Sequence, residues 1–185
     1  MTETKTVKPE VAVTDELPDS TFLIYPSDKD DSPAGSTFSF SRTPTVLLSF
    51  AANRFTRSAS RVYQDRFEIG AMDWRMLVML MREPGSSVSH ASRTIGIDKA
   101  AVSRSLRRLE ERGMVTPRQI GDDERRKEWY LTPAGAALHD QILPLALSRQ
   151  KKLLDGFTEQ EVRDFTRFLS WFLTNLENLK GEDGD

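Results

Sequence analysis

The stretch SVSHASRTIGIDKAAVSRSLRRLEERGMV, residues 87–115, continued by DERRKEWYLTPAG at 123–135, holds the pattern that decides how this chain folds. Ser89 to Thr94 reads as a short helix, Gly96 as a turn, and Asp98 as the N-cap of a helix reaching Arg112. Gly113 stands where a helix C-terminus favours a left-handed residue. Val115 to Ile120 then reads as a strand, Gly121-Asp122-Asp123 as a turn, and Lys127 to Leu131 as the returning strand. A short helix, a glycine turn and a longer helix form a helix-turn-helix, and the hairpin directly behind it is a wing.

Working outward, Thr43-Pro44 has the cap-plus-proline form of a helix start. Val46, Phe50, Phe55, Ala59 and Val62 carry that amphipathic helix to about Gln64, and Gly70 breaks it. Asp73 is read as the cap of the next helix, with Trp74, Leu77, Val78, Leu80 and Met81 on its buried side until Pro84-Gly85. On the far side, Thr132-Pro133 opens a helix to about Leu154, expected to bend at Pro144. Thr158-Glu159-Gln160-Glu161 is a capping box. It launches a helix with Val162, Phe165, Leu169, Phe172, Leu176 and Leu179 on one face. The expected class is mainly α with a small β wing, a winged helix-turn-helix inserted between flanking helices. Residues 1–40 are expected to form an acidic, largely disordered extension and 180–185 a disordered tail. Within the extension, Thr21-Phe22-Leu23-Ile24-Tyr25 is an apolar stretch expected to dock onto the folded body.

Composition narrows the function classes. The chain has no cysteine and only two histidines, His90 and His139, which disfavours disulfides, thiol redox sensing and a protein-built zinc site. No metal or cofactor is expected. No apolar run approaches the roughly 20 residues of a membrane span, and the opening Met1-Thr2-Glu3-Thr4 lacks a secretory pattern, so a cytoplasmic protein is expected. The net charge of −2 hides a division. Residues 1–36 hold eight acids against three lysines, whereas Lys99 to Arg118 carries six positive side chains against Glu110 and Glu111. The positive charge is concentrated where a phosphate backbone needs it.

On a helical wheel of Asp98 to Arg112, Val102, Leu106 and Leu109 fall in one narrow sector, the buried seam. Ala100, Arg104, Arg107 and Glu111 lie opposite, with Ser103 and Arg108 on the flanks. Small residues let the start of the helix approach a groove, and the arginines offer forked donors to phosphates or to guanine O6 and N7. A basic face alone is more often simply solvated; the preceding helix and turn make it a reading face for double-stranded DNA. Lys99, Ala100, Ser103, Arg104, Arg107 and Arg108 are the expected contacts from this helix. At the wing tip, Asp123, Arg125 and Arg126 join them, since a cation on a protruding turn can enter the minor groove.

These two stretches resemble the MarR family of winged helix-turn-helix regulators. The wing signature is similar at Asp123, Arg125, Leu131, Thr132 and Gly135, and the likeness runs over about 42–179. The acidic leader is longer than the family pattern. The resemblance implies a homodimer, with 41–66 and 133–179 as dimerisation helices around a winged domain at 71–132. The aromatic surface of Phe165, Phe168, Trp171 and Phe172 supports a partner independently. Two reading helices then face a pseudo-palindrome with half-sites about one helical turn apart.

The resemblance also implies a small aromatic or anionic effector bound between the dimerisation helices and the winged domain. Phe50, Asn53, Arg57, Trp74 and His139 are the residues expected to line it, Arg57 as an anion partner. The expected function is a transcriptional repressor released by an aromatic carboxylate or its coenzyme A thioester. The competing reading is a DNA-binding regulator or architectural protein without an effector, in which Trp74 and Phe50 are plain core. An enzyme is disfavoured, because no nucleophile–base pair, metal cluster or glycine-rich phosphate loop is found.

Overall fold

The computed structural model describes residues 17–25, 35–120 and 123–182, with the side chains of 120, 123–126 and 180–182 outside the description. The chain divides into two compact units, 1–59 and 60–185, with the division inside the first long helix.

In the first unit, a 3-10 turn at Asp19–Thr21 leads into β1 (Leu23–Ile24), which pairs antiparallel with β2 (Thr37–Phe38). Helix α1 (Pro44–Phe67) starts here and continues into the second unit. The ribbon is too short to be stable alone. It is tied to the start of α1 by polar bonds that the chain makes locally. Ser39 N donates to Phe22 O at 2.7 Å, Thr43 Oγ1 to the same carbonyl at 3.1 Å, and Arg42 Nη2 to Leu23 O. Phe40 meets Phe50 edge to face at 5.2 Å. Part of the expected disordered extension is therefore ordered: residues 17–25 and 35–40 fold against the α1 start, while 1–16 and 26–34 lie outside the described residues.

The second unit contains the end of α1, α2 (Ala71–Arg82), α3 (Val88–Ile95), α4 (Lys99–Glu111), β3 (Val115–Ile120), β4 (Asp123–Leu131), α5 (Pro133–Leu153) and α6 (Glu159–Glu182). Its core is made by Ile69, Met76, Leu77, Leu80, Ala91, Val102, Leu106, Leu109, Val115, Trp129 and Ile142, all buried. The α4 seam read from periodicity is therefore the buried one. Helix starts follow the expected side-chain chemistry. Ser87 caps α3 by accepting from His90 N, Asp98 caps α4 from Ala101 N, and Thr132 caps α5 from Gly135 N. Thr158 and Glu161 close the box at α6, with Thr158 N donating to Glu161 Oε2 at 2.7 Å and Glu161 N to Thr158 Oγ1 at 3.2 Å. The Thr158 backbone N–H, and after it the Thr158 hydroxyl at 2.7 Å from the same oxygen, hold the Glu161 carboxyl below the usual range.

Helix α2 is the exception. Its N-cap is Gly70, and Asp73 sits at N3 with its carboxylate reaching back to Gly70 N at 3.1 Å. Asp73 therefore does not cap the helix as the sequence suggested, but serves it from one turn inside.

The wing is a β3–β4 antiparallel pair, regular from Val115↔Leu131 to Gln119↔Lys127. The next pair is Ile120↔Asp123, so the register passes over Glu124, Arg125 and Arg126, which sit in a bulged section of the ladder. Ser86, in the α2–α3 connection, forms an isolated antiparallel bridge to Trp129, adding a third line of backbone beside the two strands at the base of the wing.

Gly135 explains why the wing must end as it does. A Cβ built there would lie 1.9 Å from the Met114 carbonyl oxygen. The Thr132 hydroxyl donates to Gly113 O at 2.7 Å, and Thr132 N donates to Met114 O at 3.0 Å. The first turn of α5 is thus pressed onto the start of β3, and only a residue without a side chain fits. Gly135→Ala is expected to destabilise the protein by about 3 kcal/mol, a fall of roughly 6–12 °C in Tm by thermal melting. An unchanged Tm would show that the contact is loose.

Candidate nucleic-acid interface

Helix α4 presents two surfaces set by its own sequence. Val102, Leu106 and Leu109 are at most 1% exposed, and the opposite face carries exposed Lys99, Ala100, Arg104 and Arg107, with Ser103 half-buried beside them. Arg104 and Arg107 stand three residues apart on that face, and neither has an ion-pair partner among the described residues. The hydrogen-bonding capacity of their forks is available to an external acceptor.

Helix α3 braces α4 from behind. Gly96 takes the left-handed conformation at φ 73°, and Ser92 Oγ donates to Ile97 O at 2.6 Å, closing the turn. Beyond α4, Gly113 is also left-handed at φ 69°, which sends the chain directly into β3. Arg112, at the α4 C-cap, donates to Glu68 O at 2.6 Å and Phe67 O at 3.3 Å. It supplies donors to the orphan carbonyls at the end of α1, where Glu68 holds a positive φ of 57°.

Between α3, α4 and the wing lies an open cleft of about 760 Å³, bordered by Ser87, His90, Ser103, Arg107, Lys127 and Trp129 among others. Two of these, Ser103 and Arg107, belong to the expected reading face. Glu83 and His90 close one side with a 2.6 Å contact between Oε2 and Nε2. The hydrogen bond to His90 is the main reason the Glu83 carboxyl lies below its usual range. Its stabilising effect is accordingly present above the ordinary carboxylate pKa and lost as pH falls through the lowered folded value. The Pro84-Gly85 turn also rests here, and a Cβ at Gly85 would come within 2.9 Å of the Tyr130 hydroxyl. That hydroxyl donates to Glu128 at 2.7 Å, which raises the phenol's pKa.

Arg108 is placed differently from the other named cations. Its Nη2 lies 2.6 Å from Asp73 Oδ1, an oxygen that also accepts from Ser105 Oγ at 2.6 Å. The guanidinium remains half exposed, but its fork is drawn toward α2 rather than directed outward. No pattern within the helix could reveal this, because Asp73 is 35 residues away in sequence. Asp123, Arg125 and Arg126 lie on β4, and their side chains are outside the described residues.

Of the residues expected to line an effector site, Trp74 and His139 come together: their rings stack at 5.2 Å with an interplanar angle of 23°. Tyr63 adds a third ring 5.9 Å from Trp74, its phenol pKa raised mainly by burial. His139 is buried, and its Nδ1 lies 2.9 Å from Asp140 Oδ1. Phe50, Asn53 and Arg57 lie on exposed turns of α1 in the first unit, Phe50 against Phe40. Among the described residues no cluster of His, Cys, Asp or Glu is placed to hold a metal ion, and no helix is long and apolar enough to cross a membrane.

Comparison with known proteins agrees with this arrangement. The MarR family model matches residues 68–126, from the end of α1 into the wing. The chain is 28% identical over 142 residues to the HTH-type transcriptional regulator PetP of Rhodobacter capsulatus, covering 74% of this chain and 85% of that protein. A MarR/EmrR family transcriptional regulator from Acinetobacter sp. ADP1 superimposes with a TM-score of 0.71 at 29% identity, over 76% of this chain and 99% of that one. The S. aureus MepR–DNA complex shares the fold, with a TM-score of 0.63 at 19% identity over 75% and 99% of the two chains. The capped α3–α4 pair, the basic outer face and the wing are those of a MarR-type winged helix-turn-helix: residues 68–126 match the MarR family, and about three quarters of the chain is similar to transcriptional regulators of that kind.

Proposed function

We propose that the protein is a cytoplasmic repressor that binds a pseudo-palindromic operator as a homodimer, with α4 in the major groove and the wing along the minor groove. The observation that carries this is the outer face of α4, where Arg104 and Arg107 stand exposed while the seam behind them is buried. Lys99, Ala100 and Ser103 complete the groove-facing turn, and Arg125 and Arg126 supply the wing cations. Arg125→Ala is expected to weaken operator binding and to lower the slope of log affinity against log salt by about one phosphate equivalent per wing. An unchanged slope in fluorescence anisotropy across a salt series would remove the wing from the contact surface.

The homodimer is supported by apolar surface that one chain cannot cover. On α6, Phe165, Phe168, Leu173, Leu176 and Leu179 are 40–62% exposed. Segments 41–66 and 133–179 serve as dimerisation helices in this reading, and 71–132 as the DNA-reading domain.

The effector is proposed to be a small aromatic carboxylate or its coenzyme A thioester. The Tyr63–Trp74–His139 ring cluster in the second unit supports a planar guest of this kind. A second reading, a regulator without an effector, is favoured by the same cluster: the Trp74 face is already covered by His139, as in ordinary core packing. Titrating the operator complex with phenolic acids and aromatic thioesters separates the two. Release by at least one compound is expected; retention with all of them favours the effector-free reading.

A further inference from the structure

Helix α4 is attached to the rest of its unit by more than its apolar seam. Asp73, 5% exposed at the first turn of α2, receives three donors on one carboxylate. Oδ2 accepts from Gly70 N at 3.1 Å, and Oδ1 accepts from Ser105 Oγ and Arg108 Nη2, each at 2.6 Å. Ser105 is fully buried, and it lies three residues before Arg108, on the same side of α4. The two bonds therefore grip the helix at one flank, between the buried seam and the reading face. Arg112 grips the C-terminal end through the Phe67 and Glu68 carbonyls.

These attachments do something the seam cannot. Aliphatic side chains such as Val102, Leu106 and Leu109 choose which face of α4 is buried, but their contacts are non-directional. Charge-assisted hydrogen bonds are directional and fail when misaligned. A rotation of α4 by about 20° would carry atoms at its rim by roughly 2 Å. That is enough to break the Asp73 bonds, and enough to misdirect Arg104 and Arg107. The first turn of α2 is itself held, because Trp74, the next residue, stacks on His139 of α5.

We propose that Asp73 is a positioning residue for DNA recognition. Acting through Ser105 and Arg108, it sets the rotation of α4 and so the aim of Arg104 and Arg107. Arg108 is engaged by Asp73 and is not a phosphate contact. This inference rests on the DNA-binding reading proposed above.

The test uses the full-length dimer, a duplex enriched by the wild-type protein from a random library, and a scrambled duplex of equal length. Asp73→Asn keeps an acceptor for Ser105 but removes the charge that holds Arg108. It is expected to lower the ratio of specific to non-specific affinity at least tenfold, with non-specific binding and the dimer unchanged. Arg108→Gln is expected to lower the ratio equally while leaving the salt slope of binding unchanged, and the double variant to be no worse than either single one. Arg108→Lys, which retains the charge, covers the case in which Asp73→Asn melts below the assay temperature; it should recover part of the ratio lost in Arg108→Gln. The proposal is overturned if Arg108→Gln lowers the slope by about 0.9 per half-site, the signature of a lost phosphate contact. It is equally overturned if the Asp73→Asn ratio stays within twofold of wild type, or if the two substitutions add. A wild-type protein that enriches no sequence would overturn the DNA reading itself, and this inference with it; the other outcomes bear on Asp73 alone.

Discussion

Alanine at both Arg104 and Arg107 is expected to reduce operator affinity by at least a thousandfold in a gel-shift assay while the protein stays dimeric by light scattering. The magnitude follows from the type of contact. An arginine fork on a base edge or phosphate contributes about 1–3 kcal/mol, and each substitution is present twice in a dimer. The folded state should be indifferent to the change. Both side chains are exposed, neither has an ion-pair partner among the described residues, and alanine has high helix propensity. A Tm within a degree or two of wild type is therefore part of the expected result. An operator affinity within threefold of wild type would show that α4 does not carry the reading face.

The second large effect is expected from deleting residues 158–185. This removes α6 entirely, together with the capping box that starts it. The Phe157–Phe165 contact at 6.5 Å and the Phe168–Trp171 contact at 5.7 Å go with it. So do the Arg167 guanidinium contacts over the Phe168 and Trp171 rings, at 5.3 and 5.4 Å. If α6 forms the greater part of the dimer interface, the truncated chain should run as monomer or aggregate in size-exclusion chromatography with light scattering. Operator affinity should collapse to that of a single half-site, because a second reading helix no longer benefits from the high effective concentration that dimerisation provides. A monodisperse dimer would place the interface elsewhere.

Much of the fold was legible because its signals are local. An Asp or Ser side chain caps the helix it precedes, a glycine permits a left-handed turn, and a proline after threonine marks a first turn; each needs only a few neighbouring residues. Asp98, Gly96, Gly113 and Thr132 are of this kind, and the structure places each in the expected role. Asp73 shows the limit even of local reading. A carboxylate that serves a helix start can stand at the N-cap or at N3, and Gly70 occupies the first of these. The β1–β2 pairing gave no periodic signal, since strands of two residues have no periodicity to detect; only the apolar character of Thr21 to Tyr25 set that stretch apart. Its stability comes from Arg42, Ser39 and Thr43 bonding back to Phe22 and Leu23 about 20 residues earlier.

The candidate site divides along the same line. The helical period of residues 98–112 was enough to separate a buried seam from a basic face, because burial of one stripe determines where every other side chain on a regular helix points. The need for glycine at 135, the bulged register beside Arg125 and the Ser86 bridge depend on how separate segments meet. So does the fate of Arg108, which the wheel set on the flank of the reading face and which Asp73 draws inward. Sequence determined that α4 faces outward with arginines. Only the tertiary structure decided which of those arginines are held and which are open to contact, because an ion pair joins residues by proximity in space and leaves no period in the chain.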